Sequence, residues 1–318
     1  NRKILRTLLC LLAGTLYAVC LSACDAKEPL SENRDAEIES PVIANDLSNQ
    51  KVTAIAEDTQ GHIWIGTFRG LNKNNVHDYH QYFCTDDSLG LPDNQITHLL
   101  RDSKNRFWVG TVNGVCLYTD KDNFRIIPID ADNKNVRQIL EDRNGRIFLN
   151  TGFQLYAYHP REEKITCVLP EISPGNAFYA QCHIAPDNNL WVMTSTGLRC
   201  YDLSTLQLKE SVALSGYPYY SYLHNNELWI TGNHTLSIFD TRTHSFKPLP
   251  QPIAHNTTLC NADIDYIHPY GNNGLLLNTA RHGMFYYNPG TGSVTRQDEN
   301  GFPFEMPRFR ISRMFTDS

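Results

Sequence analysis

Short apolar runs separated by polar turns follow one another along most of the chain. In one stretch, a mostly apolar run at 96–100 leads to a polar turn at 102–105, and a run of β-formers at 107–109 leads through glycines to another at 115–118. A more variable run at 124–127 precedes the next unit. Asp, Asn and Gly favour tight turns between strands. The pattern therefore predicts four antiparallel strands per unit.

This unit recurs six times. Its second strand carries a large side chain at positions 64, 108, 148, 191, 229 and 276, so the anchors are 44, 40, 43, 38 and 47 residues apart. A four-stranded repeat of this length is typical of a β-propeller blade, which buries both faces only by stacking on neighbours. We predict an all-β propeller of six four-stranded blades over residues 45–318. Residues 311–318 repeat the opening of a blade, so we expect the start of a seventh blade and a longer exported protein.

The first 23 residues resemble an export segment. Arg2, Lys3 and Arg6 precede an apolar run at 8–19, which is the order found in secretory signals. Leu21-Ser22-Ala23-Cys24 resembles a bacterial lipobox, which would place a lipid on Cys24. A conventional signal peptide and an uncleaved anchor remain alternatives, and all three export the rest of the chain. Residues 24–44 are polar and acidic and are predicted to form a tether.

Charge and cysteine usage narrow the function. The chain has 28 Lys and Arg against 34 Asp and Glu, a net charge of −6, and no basic run, which argues against a nucleic-acid partner. Six of the nine cysteines follow the export segment without a C-x-x-C pair, so we expect most of them to be small buried side chains. The twelve histidines show no metal-binding spacing, and no nucleophile or phosphate-loop motif appears. We expect no cofactor, no metal and no catalytic residues in this segment.

The first two units resemble a named repeat. Asp58, Gly61, Trp64, Gly66-Thr67 and Gly70-Leu71 fit the pattern of the two-component regulator propeller repeat, and the unit around Trp108 fits nearly as well. Units three to six depart progressively from it. The resemblance implies the periplasmic sensor region of a hybrid two-component histidine kinase, often one that responds to carbohydrate, with any kinase encoded beyond Ser318.

Functional residues are expected where the repeats differ. The recurring tryptophans and aspartates suit blade packing and turn formation, so we interpret them as structural. The loops between the second and third strands lie on a propeller face where ligands bind, and Tyr217 to Tyr222 form the densest aromatic patch. The predicted ligand-binding residues are Phe68, Arg69, Asn113, Gln154, Thr196, Tyr219, Tyr220, Asn233, His234, Arg281 and His282. Amides and aromatic faces suit a sugar or another small polar ligand, and arginine suits a carboxylate.

Three functional hypotheses follow. The preferred one is an extracytoplasmic ligand-sensing propeller of a membrane receptor, attached through the N-terminal anchor or a downstream segment, with a homodimer of the full-length receptor as a further expectation. The second is an exported propeller enzyme, a lyase or glycosidase, with His234, His282 and Tyr220 converging on the axis. The third is a lipoprotein that serves as an interaction scaffold, which acylation of Cys24 would favour.

Overall fold

The computed structural model describes residues 42–75, 77–85, 90–119, 121–172, 180–271 and 273–304. The chain divides into two units, Asn1–Glu39 and Ser40–Ser318, and the described residues belong to the second. The predicted export segment, Cys24, most of the predicted tether and the predicted start of a seventh blade lie outside the described residues and stay predictions.

Six antiparallel sheets form the blades of a β-propeller, which confirms the predicted fold. In each blade the strands follow one another from the innermost to the outermost. The first two blades are β2–β5 (Val52–Glu57, Ile63–Thr67, Gly70–Asn74, Tyr79–Tyr82) and β6–β9 (Ile96–Arg101, Phe107–Thr111, Gly114–Tyr118, Phe124–Ile127). The third and fourth are β10–β13 (Gln138–Glu141, Ile147–Asn150, Leu155–His159, Lys164–Leu169) and β14–β17 (Gln181–Ile184, Asn189–Thr194, Gly197–Asp202, Leu208–Ala213). The fifth and sixth are β18–β21 (Pro218–His224, Glu227–Gly232, Thr235–Asp240, Ser245–Lys247) and β22–β25 (Ile264–Tyr270, Gly274–Thr279, Gly283–Asn288, Ser293–Arg296).

Two additions decorate this plan. A short strand, β1 (Val42–Ala44), pairs with β5 and makes the first blade five-stranded. Two short helices, α1 (Gln251–Ala254) and α2 (Thr257–Cys260), lie in the connection from the fifth blade to the sixth.

Hydrophobic clusters fill the seams between consecutive blades. Five clusters of buried side chains occupy the five seams from the first blade to the sixth. The anchor tryptophans are buried, and each reaches the next blade: the ring of Trp64 lies 5.1 Å from that of Phe107, and the ring of Trp108 lies 4.9 Å from that of Tyr158. The anchors therefore fill the wedge between sheets, as the repeat predicted.

An aspartate closes the turn before the anchor in the first three blades. Asp58 Oδ1 accepts hydrogen bonds from the backbone N–H groups of Gln60 (2.8 Å) and His62 (3.0 Å), and its Oδ2 accepts from the Trp64 indole N–H (2.8 Å). Burial would raise the pKa of Asp58, but these donors outweigh it and lower the pKa below its ordinary value. We call this arrangement the Asp–Trp lock.

The lock changes along the chain. Asp102 repeats it with Trp108 at 2.8 Å, and Asp142, which precedes a phenylalanine anchor, accepts from Arg146 Nε at 2.7 Å. The position six residues before the anchor is Ala185 in the fourth blade and Leu223 in the fifth. Among the described residues, the buried indole N–H groups of Trp191 and Trp229 find no hydrogen-bond acceptor.

The cysteines match their expectation only in part. Cys116, Cys182 and Cys200 are buried, and burial raises the pKa of all three thiols, whereas Cys84 and Cys167 are exposed. None of the six cysteines in the described ranges forms a disulfide.

Candidate ligand site at the mouth of the central channel

The six innermost strands surround a central channel that opens into a cavity of about 570 Å³. Each inner strand contributes its first residues to this cavity, because each begins at the channel mouth. Two rings of residues can be defined from strand register, and each ring takes one residue from each of the six blades. The rim ring is Thr53, Thr97, Arg137, Ala180, Tyr219 and Asp265, and the inner ring is Ala54, His98, Gln138, Gln181, Tyr220 and Tyr266.

β-bulges shape the rim ring. In four blades the pairing of the first two strands shifts register at the top of the inner strand. The extra residues at these shifts are the rim-ring members Thr53, Thr97, Tyr219 and Asp265. A bulge bends a strand and re-aims a side chain, and bulges are frequent beside functional sites. The bulges explain why the side chains at the mouth depart from simple inward and outward alternation.

Side chains of the inner ring link neighbouring blades. Gln138 Oε1 accepts from the backbone N–H of Cys182 at 2.9 Å, and Gln181 Oε1 accepts from that of Ser221 at 2.7 Å. The Tyr220 hydroxyl donates to the carbonyl oxygen of Ile267 at 3.4 Å. Each bond runs from one blade to the next, where no backbone ladder joins the sheets. These bonds join the third blade to the fourth, the fourth to the fifth and the fifth to the sixth, and they hold the polar groups of the inner ring in place.

The fifth and sixth blades give the mouth an aromatic wall. We use this name for Tyr219, Tyr220 and Tyr266, which all line the cavity. The rings of Tyr220 and Tyr266 lie 5.9 Å apart, and that of Tyr266 stacks on His268 at 6.2 Å. Burial raises the pKa of Tyr219, so its phenol is neutral at physiological pH. A flat, neutral aromatic surface beside polar groups suits a hydroxylated ring that stacks and hydrogen-bonds at once.

Two residues of opposite charge line the mouth. Arg137 comes from the third blade and Asp265 from the sixth. The Asn278 side chain donates to Asp265 Oδ1 at 2.7 Å and orients this carboxylate. Arginine offers planar donors to an acidic group, and a carboxylate accepts hydrogen bonds from hydroxyl groups. The cavity thus offers a donor side and an acceptor side.

Below the inner ring lies a third layer, which we call the lower ring. It is formed by the residues that pair with the anchors: Ala56, Leu100, Leu140, His183, Tyr222 and His268. His183 Nε2 lies 2.8 Å from the Ser221 hydroxyl, and burial lowers the pKa of His183 to about 4. Burial also lowers the pKa of His268. Both imidazoles are therefore neutral at physiological pH.

The predicted site residues divide into two groups. Tyr219 and Tyr220 line the cavity. The turns that hold the others are short and are closed in several blades by a threonine, as where the Thr67 hydroxyl donates to the Gly70 carbonyl at 2.9 Å. Among the described residues, the cavity lining does not include the remaining predicted positions, which lie in these turns: Phe68, Arg69, Asn113, Gln154, Thr196, Asn233, His234, Arg281 and His282.

The turn residues have their own local contacts. Phe68 is exposed with the Lys51 ammonium 3.7 Å above its ring, and Gln154 Oε1 accepts from the Tyr156 hydroxyl at 2.8 Å. His234 Nδ1 lies 3.0 Å from the carbonyl oxygen of Asn261, in the connection that carries the two helices. The structure therefore does not gather these side chains into one pocket.

Sequence reasoning missed most of the two rings. A signal was present: the rim ring lies eleven residues before the anchor in five blades and ten before it in the fifth. The side chains at this position differ in chemistry, as Thr53, Arg137 and Asp265 show, whereas the anchor is a large apolar side chain in every blade. The start of the inner strand therefore varies between blades as the turns do, and it is the part of the repeat that lines the cavity.

The described residues contain neither a metal cluster nor a membrane-spanning helix. Within the described ranges, no three His, Cys, Asp or Glu side chains come together as a metal site would require. Nor does any helix in the described part of the chain have the length and apolar character needed to cross a membrane.

Comparison with known families identifies the repeat. Residues 46–69 and 90–113 match the family described as Two component regulator propeller. These segments cover the turn, anchor and Gly-Thr residues of the first two blades, so the chain carries two component regulator propeller repeats, as the motif predicted. No curated protein sequence gives a significant match to the chain.

Solved structures share the fold at low identity. The extracellular domain of BT3049 from B. thetaiotaomicron, assigned to a hybrid two component system, is 19% identical with a TM-score of 0.68 over 87% of this chain. That of BT4673, assigned to a one component system in the same organism, is 16% identical with a TM-score of 0.62 over 78%. The chain spans only 39% and 36% of these two domains. Virginiamycin B lyase from Staphylococcus aureus, 16% identical, has a TM-score of 0.59 over 80% of this chain and 86% of its own.

Proposed function

We propose that this propeller is the extracytoplasmic ligand-sensing region of a membrane signalling receptor of the two-component type. It binds an oligosaccharide or another small polar ligand at the channel mouth, and the bound state is passed to a kinase encoded elsewhere in the protein. The repeat family and the like fold of extracellular domains from two component and one component systems support this proposal. So does the mouth itself, because its two rings vary from blade to blade while each anchor stays a large buried side chain.

The observation that carries the proposal is the lining of the 570 Å³ cavity. It joins an aromatic wall to an arginine on one side and an aspartate on the other. A ligand that engages all six blades would change how the blades sit against one another, and such differential binding is what shifts a two-state receptor.

Calorimetric titration of the purified chain with a panel of neutral and acidic oligosaccharides tests the proposal. Arg137→Gln and Asp265→Asn should each weaken the tightest ligand by about tenfold, as expected for one lost charged hydrogen bond. The matched controls Arg69→Gln and Arg281→Gln, which alter the turns, should stay within about twofold of the unmodified chain.

Two outcomes would reject the site. If no member of a chemically varied panel binds, the chain does not sense small polar ligands through this propeller. If Arg69→Gln weakens binding and Arg137→Gln does not, the ligand binds at the turns that the sequence first indicated.

The enzyme alternative gains nothing from the geometry. It required His234, His282 and Tyr220 to converge on the axis, and of these three only Tyr220 lines the cavity in the described structure. The fold of a lyase is by itself no argument for lyase chemistry.

Export is part of the proposal. We infer that the propeller acts on the periplasmic face of a bacterial membrane, because residues 1–24 resemble a signal with a lipobox. Mass spectrometry of the mature N-terminus would find a lipid on Cys24 if the lipoprotein prediction is right. An unmodified N-terminus cleaved near this position would support a conventional signal peptide.

A further inference from the structure

A second cavity lies on the opposite face of the propeller, at the seam between the first and second blades. It measures about 390 Å³, and its lining includes Lys73, Arg101, Lys121, Asp58 and Asp122. It is distant from the channel mouth, because strand β4 carries Lys73 away from the turn at Gly70 toward the other end of the blade. None of these residues belongs to the ligand site proposed above.

Lys73 departs from the repeat. It pairs with the anchor Trp64, and the equivalent positions in the next four blades are Leu117, Ala157, Cys200 and Ile238. Leu117 and Ile238 are 3% and 2% exposed, and the Lys73 side chain is only 14% exposed. An ammonium therefore occupies a place that the next four blades fill with an uncharged, mostly apolar side chain, at a cost in free energy unless the charge is compensated.

The protein compensates this charge incompletely. Lys73 Nζ lies 3.4 Å from the Tyr118 hydroxyl and 4.0 Å from Asp122 Oδ1, with the rings of Trp64 and Tyr118 at 5.3 and 5.4 Å. An ammonium has three donors, and these contacts use one of them at the long end of the range. The Asp122 oxygen nearest to it already accepts from the hydroxyls of Tyr82 at 2.6 Å and Tyr118 at 3.0 Å.

The rest of the cavity adds positive charge. Arg101 and Lys121 are exposed at its edge, and Arg101 Nη1 donates to the backbone carbonyl of Asp58 at 2.9 Å. The carboxylate of Asp58 belongs to the Asp–Trp lock. Three cations therefore line a cavity with two carboxylates, and both carboxylates are engaged by hydrogen-bond donors of the protein.

We propose that this cavity binds an oxyanion, namely a sulfate, phosphate or carboxylate group, directly over the Lys73 ammonium. The anion would take the unused donors of Lys73, and the Arg101 guanidinium would close over it with paired N–H groups, as arginine does with planar or tetrahedral oxyanions. Binding would join the first blade to the second, so the site would stiffen this seam without involving the channel.

Sulfate and phosphate titrations of the full chain test the proposal, with sodium chloride holding the ionic strength constant. The unmodified chain should bind at least one of the two anions and unfold at a higher temperature in its presence. Lys73→Met should weaken binding by at least about tenfold, because the main charge at the site is lost. Its fold should persist, since apolar side chains fill the equivalent place in other blades.

Two more variants keep the test decisive. Lys134→Met removes an exposed lysine from the loop at 128–137 and should bind as the unmodified chain does. Arg101→Gln removes a cation at the exposed edge of the site, together with its hydrogen bond to the Asp58 carbonyl, and should weaken binding even if Lys73→Met folds poorly. Failure of the unmodified chain to bind either anion, or equal binding by all variants, would overturn the proposal. Neither result would bear on the ligand at the channel mouth.

Discussion

The first three blades and the last three blades use the same sheet for different purposes. In the first three, Asp58, Asp102 and Asp142 close the turn before the anchor, and the lower ring carries Ala56, Leu100 and Leu140. In the last three, the aspartate is replaced, and the lower ring carries His183, Tyr222 and His268. The blades that lack the lock supply the aromatic wall and the two histidines of the lower ring.

This difference separates two contributions to the fold. Trp64 and Trp191 are equally buried, yet only the first has a hydrogen-bond acceptor. Filling the wedge between sheets is therefore the requirement that every blade meets, and the hydrogen bond is an added stabilisation that some blades forgo. In the blades that lack the aspartate, the turn before the anchor and the inner strand carry different residues.

Breaking a lock should give the largest effect. Asp102→Ala leaves the indole N–H of Trp108, the Arg106 guanidinium and two backbone N–H groups without their acceptor, so we expect a loss of about 3 kcal/mol in the free energy of unfolding. Urea unfolding measures this loss. The control is Asp187→Ala in the fourth blade, where the Asp187 carboxylate accepts from the backbone N–H of Asn189 and not from the anchor tryptophan. It should cost less than about 1 kcal/mol in the free energy of unfolding. Equal losses would mean that the lock does not distinguish the two halves.

Acid should affect the two halves in different pH ranges. The pKa of His183 falls from 6.5 to about 4 on folding, so the unfolded chain binds the extra proton and stability is lost as the pH falls from 6.5 to 4. We expect a loss of about 2 kcal/mol in this range, less than the full shift would give because the His183 side chain is only partly buried. The lowered pKa of Asp58 gives a loss only below its ordinary value of 3.8.

Replacing the imidazole separates the two ranges. His183→Gln should reduce the decrease between pH 6.5 and 4, leaving the part due to His268, whose pKa burial also lowers, and should leave the decrease below 3.8 unchanged, as measured by urea unfolding at a series of pH values. The exposed control His234→Gln should follow the unmodified chain. A pH profile of His183→Gln that matches the unmodified chain would show that another group titrates.

Restoring a lock should give the smallest effect. Ala185→Asp places a carboxylate six residues before Trp191, in a turn whose backbone bonds match those of the first blade: the N–H of residue 185 donates to Asn189 at 2.9 Å, as that of Asp58 does to His62 at 3.0 Å. We expect a gain of about 1 kcal/mol at pH 7. The control Ala185→Asn, which is uncharged, should gain less stability. A destabilised Ala185→Asp variant would show that this turn does not place a carboxylate within hydrogen-bond distance of the Trp191 indole.

Part of this structure could be predicted from local pattern. The strands, the six units and their turns follow from alternating polar and apolar residues, and the structural interpretation of Trp64 and Asp58 followed from recurrence. The site was harder, because a turn such as Phe68-Arg69 looks variable and exposed in sequence. Only Tyr219 and Tyr220 among the predicted site residues lie in the channel cavity.

The sequence by itself determined the blade, its period and its packing side chain, because these depend on interactions within one unit and with its immediate neighbour. Only the tertiary structure decided which variable residues share a cavity. The arrangement of the blades around one channel brings Arg137 and Asp265 into the same cavity, and bulges of single residues place Thr53 and Tyr219 at the mouth. Both depend on how six sheets pack around one axis and on local shifts of register, which no single repeat encodes.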